Sequence, residues 1–153
     1  MTHLHCRLLS TNQSGLCTLL PVDGAANVPN DSFKINVDKN ASILRMRGCA
    51  SQPHLFATGG KEHELQLWDL NASERTKPIF LGKNVKNSMV DLRVPVHISD
   101  LAFLDNEGTK LVTCTALKHV RVYDTKASQR RPVMSLDFGT EALRTLCVTP
   151  DHQ

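Results

Sequence analysis

Apolar and polar positions alternate over short stretches of this chain and never settle into the spacing of a helix. Leu65 and Leu67 flank Gln66, and Val120 and Val122 flank Arg121. Period-two alternation puts one set of side chains on one face of an extended strand. Other short stretches, such as Leu101-Ala102-Phe103-Leu104, are apolar throughout, which suits strands with both faces buried. Turn-forming residues, such as Asp105-Asn106-Glu107-Gly108, separate the stretches. No window sustains apolar residues at i, i+3 and i+4, so helices should be few. The pattern predicts an all-β chain, with strands at about 98–104, 110–115, 119–124 and 132–138 in its most regularly punctuated part.

The same pattern recurs. Sliding the sequence by 55 positions lays residues 43–70 on 98–125 without a gap. Ile43 meets Ile98, Met46 meets Leu101, Thr58 meets Thr113, and Leu65 and Leu67 meet Val120 and Val122. Only three positions are identical; the correspondence lies in the apolar register and in a shared ending. That ending is Trp68-Asp69 in one unit and Tyr123-Asp124 in the other. A further start follows: Leu143 to Asp151 resembles Ile98 to Asn106 after a shift of 45. A step of about 45 is the ordinary period of WD repeats, whose units are four-stranded blades of a β-propeller. The first step is ten residues longer, and the excess lies between Phe80 and His97.

The expected organisation is therefore a partial WD40-type β-propeller of about two and a half to three blades. Residues 1–42 form an incomplete or degenerate blade, with candidate strands at 5–9, 16–20 and 33–37 and a loop at 24–31. Residues 43–97 form a blade carrying a long insertion at 82–96, residues 98–142 a second, and 143–153 the first strand of the next. Trp68 and Tyr123 should fill the space between neighbouring blades. Asp69 and Asp124 should accept backbone hydrogen bonds in the turn that follows. Gly59-Gly60 reads as a tight strand-to-strand turn at positive φ, since no Lys-Ser or Lys-Thr follows to make a phosphate loop. Many WD repeats have a Gly-His pair supporting a buried hydrogen-bond network; none occurs here, so that network should be degenerate or absent.

Composition adds exclusions. Five scattered cysteines with no Cys-x-x-Cys pair argue against a zinc site or a disulfide framework, and for a reducing compartment. His54, His63, His97 and His119 show no metal-ligand or catalytic spacing. The expectation is a non-enzymatic binding module with no cofactor, no metal and no membrane association. A net charge of +3 tolerates an RNA-rich setting without demonstrating RNA binding. One basic group, Lys118, Arg121, Lys126, Arg130 and Arg131, reads as a solvated strand edge in preference to a nucleic-acid contact.

A second basic group lies in the insertion, which reads Gly82-Lys83-Asn84-Val85-Lys86-Asn87-Ser88-Met89-Val90-Asp91-Leu92-Arg93-Val94-Pro95-Val96. The alternation of Val90, Leu92 and Val94 with Asp91 and Arg93 suggests an extended segment with one face on its own blade. This stretch resembles the corresponding stretch of a ribosome-assembly family of WD-repeat proteins. So do Ala57 to Glu62, Leu67 to Leu70, Lys110 to Thr115, Val120 to Asp124 and Gln129-Arg130-Arg131-Pro132-Val133. The resemblance covers about residues 43–150 and implies a seven-bladed propeller of the nucleus and nucleolus. It further implies a scaffold that joins large-subunit precursors with other pre-ribosomal assembly factors during ribosomal RNA processing, contacts RNA weakly or indirectly, and is released by an AAA-type ATPase. Lys83, Asn84, Lys86, Asp91 and Arg93 are the candidate partner-binding residues. The propeller alone would equally permit an adaptor of another complex, such as a substrate receptor of a ubiquitin ligase.

Overall fold

The computed structural model describes residues 7–22 and 30–149. Among them the chain is all-β, in three antiparallel sheets. The first sheet holds β1 (Arg7–Thr11), β2 (Leu16–Pro21) and β3 (Asp31–Lys34) in that order. The second holds β4 (Ser42–Gly48), β5 (Leu55–Lys61), β6 (His63–Asp69) and β7 (Phe80–Leu81). The third holds β8 (Ile98–Phe103), β9 (Lys110–Thr115), β10 (His119–Asp124) and β11 (Met134–Asp137). Each is a meander in which consecutive strands pair. Three- and four-stranded sheets repeated in this way are propeller blades.

The 55-residue repeat is visible in individual hydrogen bonds. Leu70 N donates to His54 O and Thr125 N to Thr109 O, each at 2.8 Å. A bulge between Ile43 and Arg45 in β4 has its counterpart between Ile98 and Asp100 in β8. Asp69 Oδ1 accepts from Asn71 N at 2.7 Å, and Asp124 Oδ1 accepts from Lys126 N at 2.9 Å. Each carboxylate thus closes the turn out of its blade's third strand.

Packing follows from the alternation of strand side chains. β5 is buried at every position from Leu55 to Gly60, because its two faces meet different neighbours. Phe56 joins Trp68, Ile43 and, from the first sheet, Cys17, Leu19 and Phe33 in one apolar cluster. Leu55 and Ala57 face the other way, with Leu65, Leu67 and Phe80, onto Ile98, Leu101, Leu111 and Tyr123 of the third sheet. Trp68 and Tyr123 therefore occupy equivalent places in successive blade interfaces, each 1% exposed. The Trp68 ring stacks on Phe56 at 6.1 Å, while Tyr123 meets the edge of Phe80 at 6.5 Å.

Three expectations are corrected. Gly59 and Gly60 lie inside β5 and neither has positive φ; the turn residue at positive φ is Glu62, at 51°. Glycine is needed there for close approach: a Cβ on Gly60 would collide with the Ser42 carbonyl oxygen, and one on Gly59 would sit 2.9 Å from Ile98 Cγ2. The buried hydrogen-bond network, expected to be degenerate or absent, is present in the second blade: Trp68 Nε1 donates to Thr58 Oγ1 at 3.0 Å, and Thr58 Oγ1 lies 3.1 Å from His63 Nε2. His63 reaches Thr58 because the β5–β6 turn sets it opposite Gly60 on the neighbouring strand. Finally, residues 143–149 form no strand. Their backbone is held by side chains: Ser99 Oγ donates to Leu143 O at 2.6 Å and Leu146 N donates to Asp100 Oδ2 at 3.2 Å. Asp100 is 1% exposed and also takes hydrogen bonds from Thr145 and Arg47. Residues 150–153 and most of the loop expected at 24–31 lie outside the described residues.

Candidate functional site

The insertion leaves the second blade at Gly82, whose N–H donates to Leu65 O at 2.8 Å. A Cβ on Gly82 would come within 2.9 Å of that carbonyl oxygen, so the chain can hug β6 only as glycine. The outgoing arm is rooted on the third blade: Lys83 N donates to Arg130 O at 2.9 Å, and Arg131 Nε donates to Asn84 O at 3.2 Å. Asn84 clamps the two arms together. Its Nδ2 donates to Val94 O at 2.7 Å while its Oδ1 accepts from Val85 N at 2.8 Å.

The tip is a tight turn. Ser88 N donates to Leu92 O and Asp91 N to Ser88 O, both at 2.9 Å, with Asp91 at a φ of 57°. Asn87 Nδ2 holds the Asp91 carboxylate at 2.9 Å. The returning arm docks on the β5–β6 turn. Arg93 Nη1 meets Glu62 Oε2 at 2.6 Å, Val96 N donates to Glu62 Oε1 at 3.2 Å, and Glu62 N donates to Val96 O at 2.8 Å. The hydrogen bond from Arg93 holds the Glu62 carboxyl below its usual range, against the upward push of partial burial. Val96 then buries into the blade interface.

These contacts divide the five candidate residues. Asn84, Asp91 and Arg93 build the loop through partners within the chain. Lys83 and Lys86 are exposed, and among the described residues neither side chain makes an ion pair. The expected extended segment with an apolar face on the blade is corrected as well. Val90 and Leu92 point to solvent because the chain reverses at 88–91, Val94 is half-buried, and Val96 is buried. Alternation reads as a strand from sequence alone, and the Ser88–Leu92 hydrogen bond that turns the chain leaves no periodic signal.

A cleft of about 480 Å³ is lined by Lys83, Asn84 and Arg93 of the insertion together with Asp38, His63 and Glu64. Burial raises Glu64 to about 7, against the opposing attraction of Arg121 and Arg93. No group of three or more His, Cys, Asp or Glu among the described residues is arranged to hold a metal ion. The other basic group disperses. Arg121 is 2% exposed, Lys126 pairs with Glu107 at the surface, Lys118 occupies the β9–β10 turn, and Arg130 and Arg131 brace the insertion.

No family model matches the chain. Among curated proteins it is similar to WD repeat-containing protein 74 of Bos taurus, 49% identical over 109 residues, which is 71% of this chain and 28% of that protein. The Homo sapiens protein of the same name is 47% identical over 108 residues, 71% of this chain and 27% of the relative. Ribosome biogenesis protein NSA1 of Meyerozyma guilliermondii is 36% identical over 112 residues, 68% of this chain and 28% of that protein. The matched part of the chain thus spans between a quarter and a third of these relatives.

Proposed function

Because the chain is a homologue of WD repeat-containing protein 74 and of ribosome biogenesis protein NSA1, we propose that it is a non-catalytic WD-repeat scaffold. It acts in large ribosomal subunit biogenesis and docks on pre-ribosomal particles in the nucleolus through the insertion at 82–96. The observation that carries this reading is a loop held at both arms and at its turn, which presents two exposed lysines that make no ion pair among the described residues. Functional contacts concentrate on loops positioned by rigid scaffolds. A pre-ordered loop also loses less conformational entropy when it binds. Ribosomal RNA processing, weak or indirect RNA contact and release by an AAA-type ATPase belong to the same reading.

The test is sedimentation of the tagged protein with nuclear large-subunit precursors, comparing the native chain with a Lys83→Glu, Lys86→Glu double variant. Arg93 is left intact because its partner Glu62 anchors the stem. Docking predicts an unchanged thermal melt and lost co-sedimentation. Unchanged co-sedimentation, or purification with ubiquitin-ligase subunits in place of ribosomal precursors, overturns it.

A further inference from the structure

Of all the large apolar side chains among the described residues, the three most exposed sit on one turn. Met89 is fully exposed, Val90 is 73% exposed and Leu92 is 65% exposed. The next, Val22, stands at 58%, and the others are scattered over strands and sheet edges. Apolar side chains left in water at the end of an ordered loop are costly unless something else covers them. Nothing in the loop's own geometry lets them fold back. The Ser88–Leu92 and Ser88–Asp91 hydrogen bonds fix the turn, and the Asn84–Val94 clamp fixes its arms.

We propose that Met89, Val90 and Leu92 form an anchor that inserts into an apolar groove with a carboxylate rim on a protein partner. This rests on the reading of the insertion as the docking element and names what that element recognises. Charge complementarity selects the rim. Lys86 precedes the tip and Lys83 stands at the root of the outgoing arm, neither in an ion pair among the described residues, while the Arg93 charge is already matched by Glu62. Lys83, Lys86 and Arg93 against Asp91 and Glu62 leave the insertion and its anchor with a net charge of +1. The apolar tip selects protein over RNA. Bases are gripped by aromatic or guanidinium planes, and the turn from Asn87 to Leu92 carries neither. Aliphatic groups set among phosphates would bury no apolar partner surface. Met89 suits a groove of irregular shape because its thioether chain adapts to the space available. The lysines then steer encounter and the apolar tip slows dissociation, the division of labour common at protein interfaces.

The experiment compares three proteins for binding to purified nuclear large-subunit precursors, before and after light ribonuclease treatment. They are the native chain, a Met89→Ser, Val90→Ser, Leu92→Ser variant, and the Lys83→Glu, Lys86→Glu variant. All three replaced apolar side chains are solvent-exposed, so the serine variant should melt as the native chain does, and its melt is recorded alongside. The expected result is at least tenfold weaker binding by the serine variant and native-chain binding that survives ribonuclease. If the serine variant binds normally while the glutamate variant does not, the anchor is wrong and docking through the loop stands. Loss of native-chain binding after ribonuclease overturns the protein-groove assignment. If both variants bind normally, the docking reading falls and the anchor with it. A serine variant that melts earlier yet binds with native affinity also overturns the anchor.

Discussion

Trp68 Nε1 donates a 3.0 Å hydrogen bond to the hydroxyl of Thr58, one strand away on β5, and that hydroxyl in turn lies 3.1 Å from His63 Nε2. All three residues are buried. The hydroxyl thus links the indole N–H to a ring nitrogen of His63, an arrangement that suits a neutral imidazole. Burial agrees with this by depressing His63 to about 4. In the third blade Tyr123 and Lys118 stand where Trp68 and His63 would be, and the equivalent Thr113 hydroxyl has no partner.

Thr58→Val should therefore cost about 1–3 kcal/mol, because it keeps the volume and leaves the indole N–H and the imidazole nitrogen unpaired. Thr58→Ser, which keeps the hydroxyl and loses one methyl, should cost about 1 kcal/mol. Trp68→Ala should cost about 3–5 kcal/mol by opening a cavity against Phe56. Denaturant midpoints at high dilution rank the three. Equal midpoints for the valine and serine variants would remove the network from the account.

The two turn carboxylates predict smaller effects. Asp69→Ala and Asp124→Ala should each cost about 1 kcal/mol through the loss of one backbone hydrogen bond at the exit of the third strand. The same denaturant series measures them. A silent pair would mean that water replaces the carboxylate at both turns.

His63 and Glu64 are sequence neighbours with opposite pH behaviour. The folded His63 titrates at about 4, below its unfolded value of 6.5, so its contribution to stability is full above 6.5 and lost as pH falls towards 4. The folded Glu64 titrates at about 7, above its unfolded value of 4.5, so its contribution is full below 4.5 and lost as pH rises towards 7. Between about pH 4.5 and 6.5 the two slopes oppose each other. Glu64→Gln should remove one of them, so that stability rises with pH up to about 6.5 and then levels. Melting temperature against pH for both proteins checks this; parallel profiles would show that Glu64 is not the group responsible.

β11 is an edge strand with Met134 and Leu136 more than 40% exposed, and Phe138 beside it is 53% exposed. An edge with open hydrogen-bonding groups and apolar side chains invites pairing with another copy. The chain on its own should self-associate as its concentration rises, visible as a growing mass by light scattering. Leu136→Lys and Phe138→Lys together should suppress it without a lower melting temperature. A monomeric native chain at high concentration would contradict this.

The strands and the repeat were legible in the sequence because burial on a sheet is periodic. Alternation at Leu65 and Leu67 marks the face turned to the third blade, and a 55-residue offset matches hydrogen bonds as well as apolar positions. Trp68 and Tyr123 could be placed between blades because a large side chain at the end of a third strand has nowhere else to bury. What only the tertiary structure decided are the features without a period. Gly60 is glycine because the Ser42 carbonyl of another strand passes over it, and His63 enters a network because a turn sets it beside Thr58. The insertion shows the limit most clearly. Its charges and apolar residues could be counted in sequence, but whether Arg93 faced a partner or Glu62, and whether Val90 faced the blade or water, depended on hydrogen bonds at Ser88 and Asn84. Periodic burial is a property of a single strand and is written along it. A side chain's partner across a turn is set by where two distant segments meet, and no local spacing encodes that.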